Sequence, residues 1–281
     1  MSAGKLYLIA TPIGNLGDMT FRAIETLSGV DAVAAEDTRN TLRLLNHFDI
    51  KKPLISYHEH NKRTRGEELI RGLLEGKTYA LVSDAGMPAI SDPGEDLVSR
   101  CHDEGIEVQV IPGASAAISA VALSGLGGGR FCFEGFLSVS NKPRKERLNS
   151  LKNETRAMIF YEAPHKLTST LKDLADTFGE DRRIVLAREL TKRYEETVRM
   201  TIGDAIKKYE DAKPLGEFVL VVEGCDEESV KEENEVDART RAIELIEKYR
   251  AEGMRNKEIL SAVMSETGLK RNEVYEMILD K

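Results

Sequence analysis

Apolar runs of strand length recur along the first 225 residues and alternate with segments whose apolar positions have helical spacing. This pattern is typical of strands joined by amphipathic helices, and it predicts βαβ units around a largely parallel sheet. In open α/β folds, ligands bind beyond the carboxyl ends of such strands. The predicted strands are 5–10, 32–35, 54–56, 79–83, 108–111, 131–135, 157–161, 184–188, 196–201 and 217–223.

A glycine-rich segment, residues 125–130, divides this pattern into two α/β domains, predicted at 1–124 and 125–225. Residues 226–237 follow with seven acids and one lysine, a composition typical of a solvated linker. Residues 238–281 show helical spacing broken at Gly253 and Gly268, which predicts three short helices resembling a helix-turn-helix unit. The predicted core of that unit is Ile243, Leu245, Ile246, Ile259, Leu260, Val263, Val274, Ile278 and Leu279.

Charge and cysteine content narrow the class of protein. The net charge is −8, but the acidic segment 226–237 supplies six of those charges, so the remainder is almost neutral. The three cysteines are scattered and form neither a metal spacing nor a disulfide framework. No run approaches the roughly 18 apolar residues that cross a bilayer, and the first ten residues lack a signal-peptide pattern. We therefore expect a cytoplasmic, reduced protein.

Polar residues at predicted strand ends carry the candidate chemistry. Asp84 follows the strand at 79–83 and lies beside Gly86, which suits a ligand with hydroxyl or ammonium groups. The alternative is that Asp84 only caps a turn. Small residues from Gly113 onward follow the strand at 108–111 and permit close approach of a ligand. These two strand ends are expected side by side over one crevice.

Further strand ends leave two interpretations open. Thr11-Pro-Ile-Gly-Asn is neither GxGxxG nor a P-loop, which disfavours a nicotinamide or nucleoside triphosphate site. Arg39, in Glu36-Asp37-Thr38-Arg39, could hold a phosphate through its planar guanidinium, or it could pair with a carboxylate inside a capping cluster. His58 and His60 flank Glu59 without a further metal ligand, so a polar loop facing substrate is the preferred interpretation.

The densest basic patch begins the helix predicted from residue 141. It is either a surface for RNA phosphates or a solvated face. Its residues are Lys142, Arg144, Lys145 and Arg147. Two further strand ends, Tyr161-Glu-Ala-Pro-His and Arg188-Glu-Leu-Thr-Lys, would close the crevice from the second domain.

Six segments together resemble the ribosomal RNA small subunit methyltransferase I family of the tetrapyrrole-methylase superfamily. They are Ala10-Thr-Pro-Ile-Gly-Asn-Leu-Gly-Asp, Ala35-Glu-Asp-Thr-Arg, Ser56-Tyr-His-Glu-His-Asn, Val82-Ser-Asp-Ala-Gly-Met-Pro-Ala-Ile-Ser-Asp-Pro-Gly, Ile111-Pro-Gly-Ala-Ser-Ala and Phe160-Tyr-Glu-Ala-Pro-His. The resemblance implies S-adenosylmethionine (SAM) as methyl donor, bound between the two domains of a homodimer. It implies a cytidine ribose 2′-hydroxyl in 16S rRNA, free or within the 30S subunit, as acceptor.

Carried over by motif position, the resemblance implies a SAM pocket formed by residues of both domains. They are Pro12, Ile13, Asp84, Met87, Ser115, Ala116, Tyr161, Ala187, Leu190, Leu215 and Gly216. Thr11-Pro12 replaces the Gly-x-Gly of many superfamily members, a departure that fits the rRNA branch. It counts against the alternative of a methylase acting on a small corrin-like or porphyrin-like precursor.

Methyl transfer from an activated sulfonium requires alignment and removal of the hydroxyl proton, without a metal. The base candidates are Glu36, Asp37, His60 and Glu162, and the candidates for holding phosphates are Arg39, Lys142, Arg144, Lys145 and Arg147. A different class of function, a non-catalytic nucleic-acid-binding protein that uses the C-terminal helices, is opposed by the near balance of acids and bases in 238–281.

Overall fold

The computed structural model describes residues 3–279, apart from the side chains of 229–235 and 237. The chain forms two compact units. The first holds both sheets and extends to Lys152 and again from Arg156 to Glu223. The second consists of Asn153–Thr155 and the chain from Gly224 onward. The predicted boundary at the glycine-rich segment falls between the two sheets.

The five strands of the first sheet are all parallel, as the alternating pattern predicts. Their order is β3-β2-β4-β1-β5. Its central strands β2 and β4 are buried along their whole length, because helices cover both faces of a parallel sheet. The strands are β1 (Lys5–Ile9), β2 (Ala32–Ala35), β3 (Leu54–Ser56), β4 (Tyr79–Val82) and β5 (Glu107–Ile111). The helices are α1 (Phe21–Gly29), α2 (Thr38–His47), α3 (Lys62–Leu74), α4 (Gly94–Asp103) and α5 (Ala116–Ser124).

The strand order corrects one prediction. The ends of β4 and β5 are not side by side, because β1 lies between them and pairs with both. The loop after β1 therefore occupies the middle of the crevice. Thr11 and Gly86 exchange backbone hydrogen bonds of 2.9 and 3.0 Å, which fixes this loop against the segment after β4. Local patterns cannot reveal this order, because it depends on which strands pair across the sheet.

The second sheet is mixed, in the order β6-β7-β10-β8-β9. β6 and β7 pair in parallel, whereas β10 runs antiparallel to β7 and β8, and β9 antiparallel to β8. The strand with the least distinct alternation, β9, is an edge strand with both faces partly exposed. The strands are β6 (Phe131–Phe136), β7 (Ala157–Glu162), β8 (Arg183–Arg188), β9 (Glu196–Thr201) and β10 (Phe218–Val222), and the helices are α6 (Asn141–Ser150), α7 (Leu167–Phe178) and α8 (Ile202–Tyr209).

The second unit contains three helices, α9 (Glu227–Ala251), α10 (Asn256–Thr267) and α11 (Arg271–Leu279). The prediction of a linker up to residue 237 is wrong, because α9 begins at Glu227. Glutamate is a good helix former and is favourable in a first turn, so the acidic run continues the helix. Within the described part of the chain, no helix is long and apolar enough to cross a membrane.

The core of the second unit corrects two predicted positions. Ala242 and Ile246 lie on the buried side of α9, whereas Ile243, one position along, is 44% exposed. One residue rotates about 100° around a helix axis, so the side chain next to a buried position leaves the core. Leu279 is also exposed, at the end of α11. The remaining core residues are Ile259, Leu260, Val263, Leu269, Val274 and Ile278.

Candidate functional site

An apolar cluster joins the loop after β1 to the second sheet. Ile13 packs there with Ala187 and Leu190, and all three are buried. Ala116 and Tyr161 pack against the same cluster. The structure thus brings together five of the residues predicted to line the cofactor pocket, although they lie as far apart in sequence as 13 and 190.

Tyr161 links β7 to the beginning of α5. Its hydroxyl oxygen accepts a hydrogen bond of 3.2 Å from the Ala117 backbone N–H. Its ring makes edge contacts with Phe133 and Phe136, at centroid distances of 5.1 and 5.4 Å. Burial raises the pKa of Tyr161, so the phenol is neutral and holds the helix terminus as an acceptor.

The loop after β8 has a strained backbone. Glu189 and Thr191 adopt φ values of 52° and 67°, which non-glycine residues rarely take. The Thr191 hydroxyl oxygen is buried without a hydrogen-bond partner among the described residues. Strained residues and unpaired polar atoms collect at binding sites. Thr191 is absent from the predicted pocket, and nothing in the sequence marks its conformation.

Gly216 permits the segment before β10 to approach this loop. It has a φ of 87°, and a Cβ built on it would lie 2.4 Å from Cγ of Glu189. The Glu189 carboxylate accepts from Lys192 Nζ at 2.8 Å and from the Glu217 N–H at 2.9 Å. These bonds lower the pKa of Glu189, the lysine contact most strongly. Leu215, the neighbouring pocket residue, is exposed.

The other predicted pocket residues lie in three different places. Pro12 and Asp84 line a cavity of about 250 Å³ that also borders α2. Ser115 precedes α5 at its N-cap, where its side chain makes no capping hydrogen bond. Met87 packs against the core of the first sheet and does not join the cluster around Ile13.

Asp84, which follows β4, accepts hydrogen bonds at the beginning of α2. Its carboxylate accepts from the Asp37 backbone N–H and from Asn40 Nδ2, each at 3.2 Å. The alternative that Asp84 stabilises local structure is therefore partly right, but the structure concerned is the beginning of α2. Asp84 both lines the cavity and fixes the segment that carries Glu36.

Arg39 pairs with Asp37 inside a capping cluster, which is the second of the two interpretations that the sequence left open for Arg39. Asp37 is the N-cap of α2 and accepts from the Arg39 backbone N–H at 2.8 Å. It also accepts from Arg39 Nε at 3.1 Å and from Nη2 at 2.7 Å. These bonds lower the pKa of Asp37 to about 2. Such an acid is a weak base, so the geometry argues against Asp37 as the proton acceptor.

Glu162 and Arg144 belong to a buried network, and neither is placed as predicted. The Glu162 side chain accepts from the Thr170 hydroxyl and from the Ala163 N–H. Thr170 accepts from Arg144 Nη2 at 2.8 Å, and Arg144 Nε donates to Asp173 at 2.6 Å. Arg144 is 9% exposed and Glu162 is 5% exposed. The burial and the hydrogen bonds of these two side chains argue against Arg144 as an RNA contact and against Glu162 as the base.

The rest of the basic patch lies on the outer side of α6. The Lys142 side chain is 87% exposed and lies 3.9 Å from Glu146. Lys145 is exposed, and no ion pair to it is found among the described side chains. Arg147 donates from Nε to Glu134 at 2.7 Å, so its charge is partly neutralised. Lys142 and Lys145 are the cations that remain available.

Glu36 and His60 lie beyond the ends of β2 and β3. The Glu36 residue is exposed, but local desolvation raises its pKa, and the nearby carboxylates of Asp84 and Asp92 raise it further. Among the described residues, none donates a hydrogen bond to the Glu36 side chain. His60 is exposed, and its ring centroid lies 5.9 Å from that of His58. The raised pKa makes the Glu36 carboxylate a stronger proton acceptor than an ordinary glutamate.

The cluster around Ile13 fits a ligand that has both apolar and polar parts. The apolar side chains offer contact area, and the buried Thr191 hydroxyl offers an unused hydrogen-bonding group. Among the described residues, no group of three or more His, Cys, Asp or Glu side chains could hold a metal ion.

A family model and individual relatives of known name both place the chain in one family. Residues 5–206 match the family model described as tetrapyrrole (corrin/porphyrin) methylases. A relative from Synechocystis sp., named ribosomal RNA small subunit methyltransferase I, is 49% identical over 99% of this chain and 98% of its own. A relative of that name from Thermotoga maritima is 52% identical over 79% of this chain and 99% of its own.

The fold is also similar to that of solved methyltransferase structures. The crystal structure of uroporphyrin-III-C-methyltransferase from Thermus thermophilus has a TM-score of 0.55 at 18% identity, and covers 78% of this chain and 94% of its own. At that identity the likeness shows the fold alone. The Synechocystis relative is 49% identical over 99% of this chain, and identity at that level also shows the family. The chain belongs to the ribosomal RNA small subunit methyltransferase I family of the tetrapyrrole methylases.

Proposed function

We propose that this protein is a SAM-dependent methyltransferase that modifies the ribose 2′-hydroxyl of a cytidine in 16S rRNA. The observation that carries the proposal is the convergence of Ile13, Tyr161, Ala187 and Leu190 on one cluster, within a chain of this family. The protein would act in the bacterial cytoplasm, where its rRNA substrate is assembled into subunits.

SAM would be held where the loop after β1 meets the second sheet. Ile13, Ala187 and Leu190 would contact its apolar parts, and Thr191 would supply a hydrogen bond from its unpaired hydroxyl. When bound, SAM supplies a methyl group on a positively charged sulfur. Gly216 keeps the facing loop close enough to narrow the pocket, since a side chain there would collide with Glu189.

Glu36 would accept the proton of the 2′-hydroxyl. It is the base candidate that combines a raised pKa with a side chain left without a donor in the described residues. Asp37 is engaged by Arg39, Glu162 is buried in a network, and His60 lies in an exposed loop. The ribose would enter the cavity lined by Asp84 and Pro12, and the Asp84 carboxylate is close enough to Glu36 to raise its pKa.

Lys142 and Lys145 would contact RNA phosphates. Both lie on α6 with their charges exposed, three residues apart and therefore on one side of the helix. Ammonium groups in this position bind the backbone without reading the base sequence.

A second copy of the chain would cover α5. Seven of the nine residues of this helix are apolar, and Ile118 and Leu123 are 55% and 51% exposed. The neighbouring edge strand β5 adds the exposed side chain of Val110. Large exposed apolar side chains on neighbouring elements are typical of association sites, and on this ground we propose a homodimer. Sedimentation of Ile118→Glu against wild-type protein tests it, and an unchanged sedimentation coefficient would oppose this interface.

The test of the activity uses 30S subunits that lack 2′-O-methylation, incubated with protein and SAM labelled in its methyl group. We expect label in 16S rRNA, in a nucleotide that resists alkaline cleavage on its 3′ side. Free 16S rRNA tests whether assembly is required. Label transferred to a corrin-type precursor and not to RNA would support the alternative substrate class and overturn the proposal.

A further inference from the structure

The hydrogen bonds of Asn61 determine which ring nitrogen of neutral His58 carries the proton. The His58 backbone N–H donates to Asn61 Oδ1 at 2.8 Å, which identifies the other amide atom as nitrogen. Asn61 Nδ2 donates to the Ser56 carbonyl at 3.1 Å and lies 3.2 Å from His58 Nε2. An amide nitrogen only donates, so Nε2 is the acceptor and carries no proton. The proton of the neutral ring is therefore on Nδ1.

This Nδ1–H has no acceptor in the described part of the protein. The atom is buried and has no hydrogen-bond partner there. A donor buried without an acceptor costs free energy, and in native proteins such a group usually has a functional reason. The acceptor must come from a side chain that reorients or from a bound molecule.

Glu36 is the nearby carboxylate that can serve. β2 and β3 are parallel neighbours, with Ala35 opposite Ser56, so Glu36 and His58 leave adjacent strands at one edge. The Tyr57 N–H donates to the Ala35 carbonyl at 2.8 Å, which extends this pairing beyond the strands.

The charged groups around Glu36 change its pKa, and a hydrogen bond from His58 would change it too. Asp84, Asp92 and Asp37 all raise the pKa of Glu36, whereas His58 lowers it. Asp37 belongs to the same segment, Asp84 follows β4, and Asp92 precedes α4. A hydrogen bond donated by the neutral His58 ring would likewise lower the pKa of Glu36, against three carboxylates that favour protonation of the base.

We propose that His58 is a positioning residue whose Nδ1–H donates to one Glu36 carboxylate oxygen once the Glu36 side chain turns toward the ring. The proposal rests on the function proposed above. The other carboxylate oxygen is then directed at the ribose 2′-hydroxyl. The hydroxyl oxygen forms its bond to the methyl carbon as the carbon–sulfur bond breaks. The electron pair of that bond stays on sulfur, and the hydroxyl proton passes to Glu36.

Two nearly isosteric substitutions separate this role from a structural one. In His58→Asn the amide nitrogen can occupy the place of Nδ1, whereas in His58→Gln it falls near the place of Nε2. His60→Gln is the matched control, since that ring is exposed in the same loop. Calorimetric titration with SAM establishes that each variant retains its fold and its cofactor site.

The first measurement needs no activity. Carboxyl 13C shifts of Glu36 are followed against pH in the free protein, together with 15N shifts of His58. We expect the Nδ1–H tautomer in wild-type protein. The Glu36 midpoint should rise in His58→Gln and should be close to wild type in His58→Asn and His60→Gln. An unmoved midpoint in His58→Gln, or an Nε2–H tautomer, overturns the pairing.

The second measurement is the pH dependence of single-turnover methylation of 30S subunits. We expect His58→Gln to lower the rate about tenfold and to move the acidic limb to higher pH, as general bases contribute on the order of a hundredfold or more. His58→Asn should restore most of the rate. Equal rates in wild type and His58→Gln overturn the proposal. Wild-type protein that fails to methylate 30S refutes the proposed function instead, and the Glu36 titration still decides the pairing.

Discussion

The side chain of Lys192 lies directly over Gly14, so that a Cβ built on Gly14 would be 2.4 Å from Lys192 Cγ. Lys192 Nζ donates to Glu189 at 2.8 Å and to Glu217 at 3.0 Å. The loop after β1 is thereby held against two loops of the second sheet. This contact explains why the segment beginning at Thr11 has a small residue at its centre.

Gly14→Ala should weaken SAM binding by about tenfold or more, equivalent to roughly 1.4 kcal/mol. The added methyl group would displace Lys192 and disturb the loop that carries Leu190, and the φ of 151° at Gly14 is unfavourable for alanine. Isothermal titration calorimetry measures the effect. Gly29→Ala is the control, because a Cβ at Gly29 meets nothing within 4 Å. Equal SAM affinity in Gly14→Ala and wild type would contradict this account of the loop.

Arg144→Ala should destabilise the protein by about 1–3 kcal/mol, the usual cost of removing a hydrogen-bond partner from buried polar groups. The substitution leaves Asp173 without its cation and Thr170 without a donor, next to buried Glu162. Urea unfolding gives the free energy of unfolding. A change below about 1 kcal/mol, together with weaker RNA binding, would restore Arg144 to the RNA surface.

The double variant Lys142→Gln/Lys145→Gln should weaken binding to 30S subunits and reduce the dependence of affinity on salt. Each lysine–phosphate interaction that the variant removes should lower the slope of log K against log salt by about 0.7–0.9. Stability should change by less than about 0.5 kcal/mol, because both side chains are at the surface. Lys207→Gln/Lys213→Gln removes the same charge from other positions. If both double variants reduce the slope equally, the patch on α6 has no special role.

The basic patch shows where sequence and structure differ. A run of bases predicts a basic helix, and α6 indeed begins at Asn141. Which basic residue faces the core depends on the position of α7, since Arg144 is buried only because Asp173 and Thr170 contact it there.

Strand locations follow from local apolar runs, and the predicted bounds of β2, β3 and β9 agree with the structure to the residue. The placement of β1 between β4 and β5 is a long-range pairing with no local signal.

Stability should fall between about pH 4 and pH 2 in part because of Asp37. Its pKa is lowered from 3.8 to about 2 in the folded protein, chiefly by the hydrogen bonds from Arg39. A lowered pKa contributes stability above the unfolded value, and this is lost as the pH falls through the folded value. In Asp37→Asn the free energy of unfolding should therefore depend less on pH in this window. Parallel pH curves for the two proteins, measured by urea unfolding, would show that the Arg39 contact does not form in solution.

Truncation after Glu223 should leave SAM binding within about twofold of wild type, a change of under roughly 0.5 kcal/mol. The predicted cofactor residues all belong to the first compact unit, and the Thermotoga maritima relative matches over 99% of its length while covering 79% of this chain. Truncation after residue 237 also removes the core around Ile246 and should bind SAM to the same extent. Both proteins are compared by calorimetry with SAM and by binding to 30S subunits. Loss of SAM binding on truncation after Glu223 would show that the helical unit is part of the catalytic body.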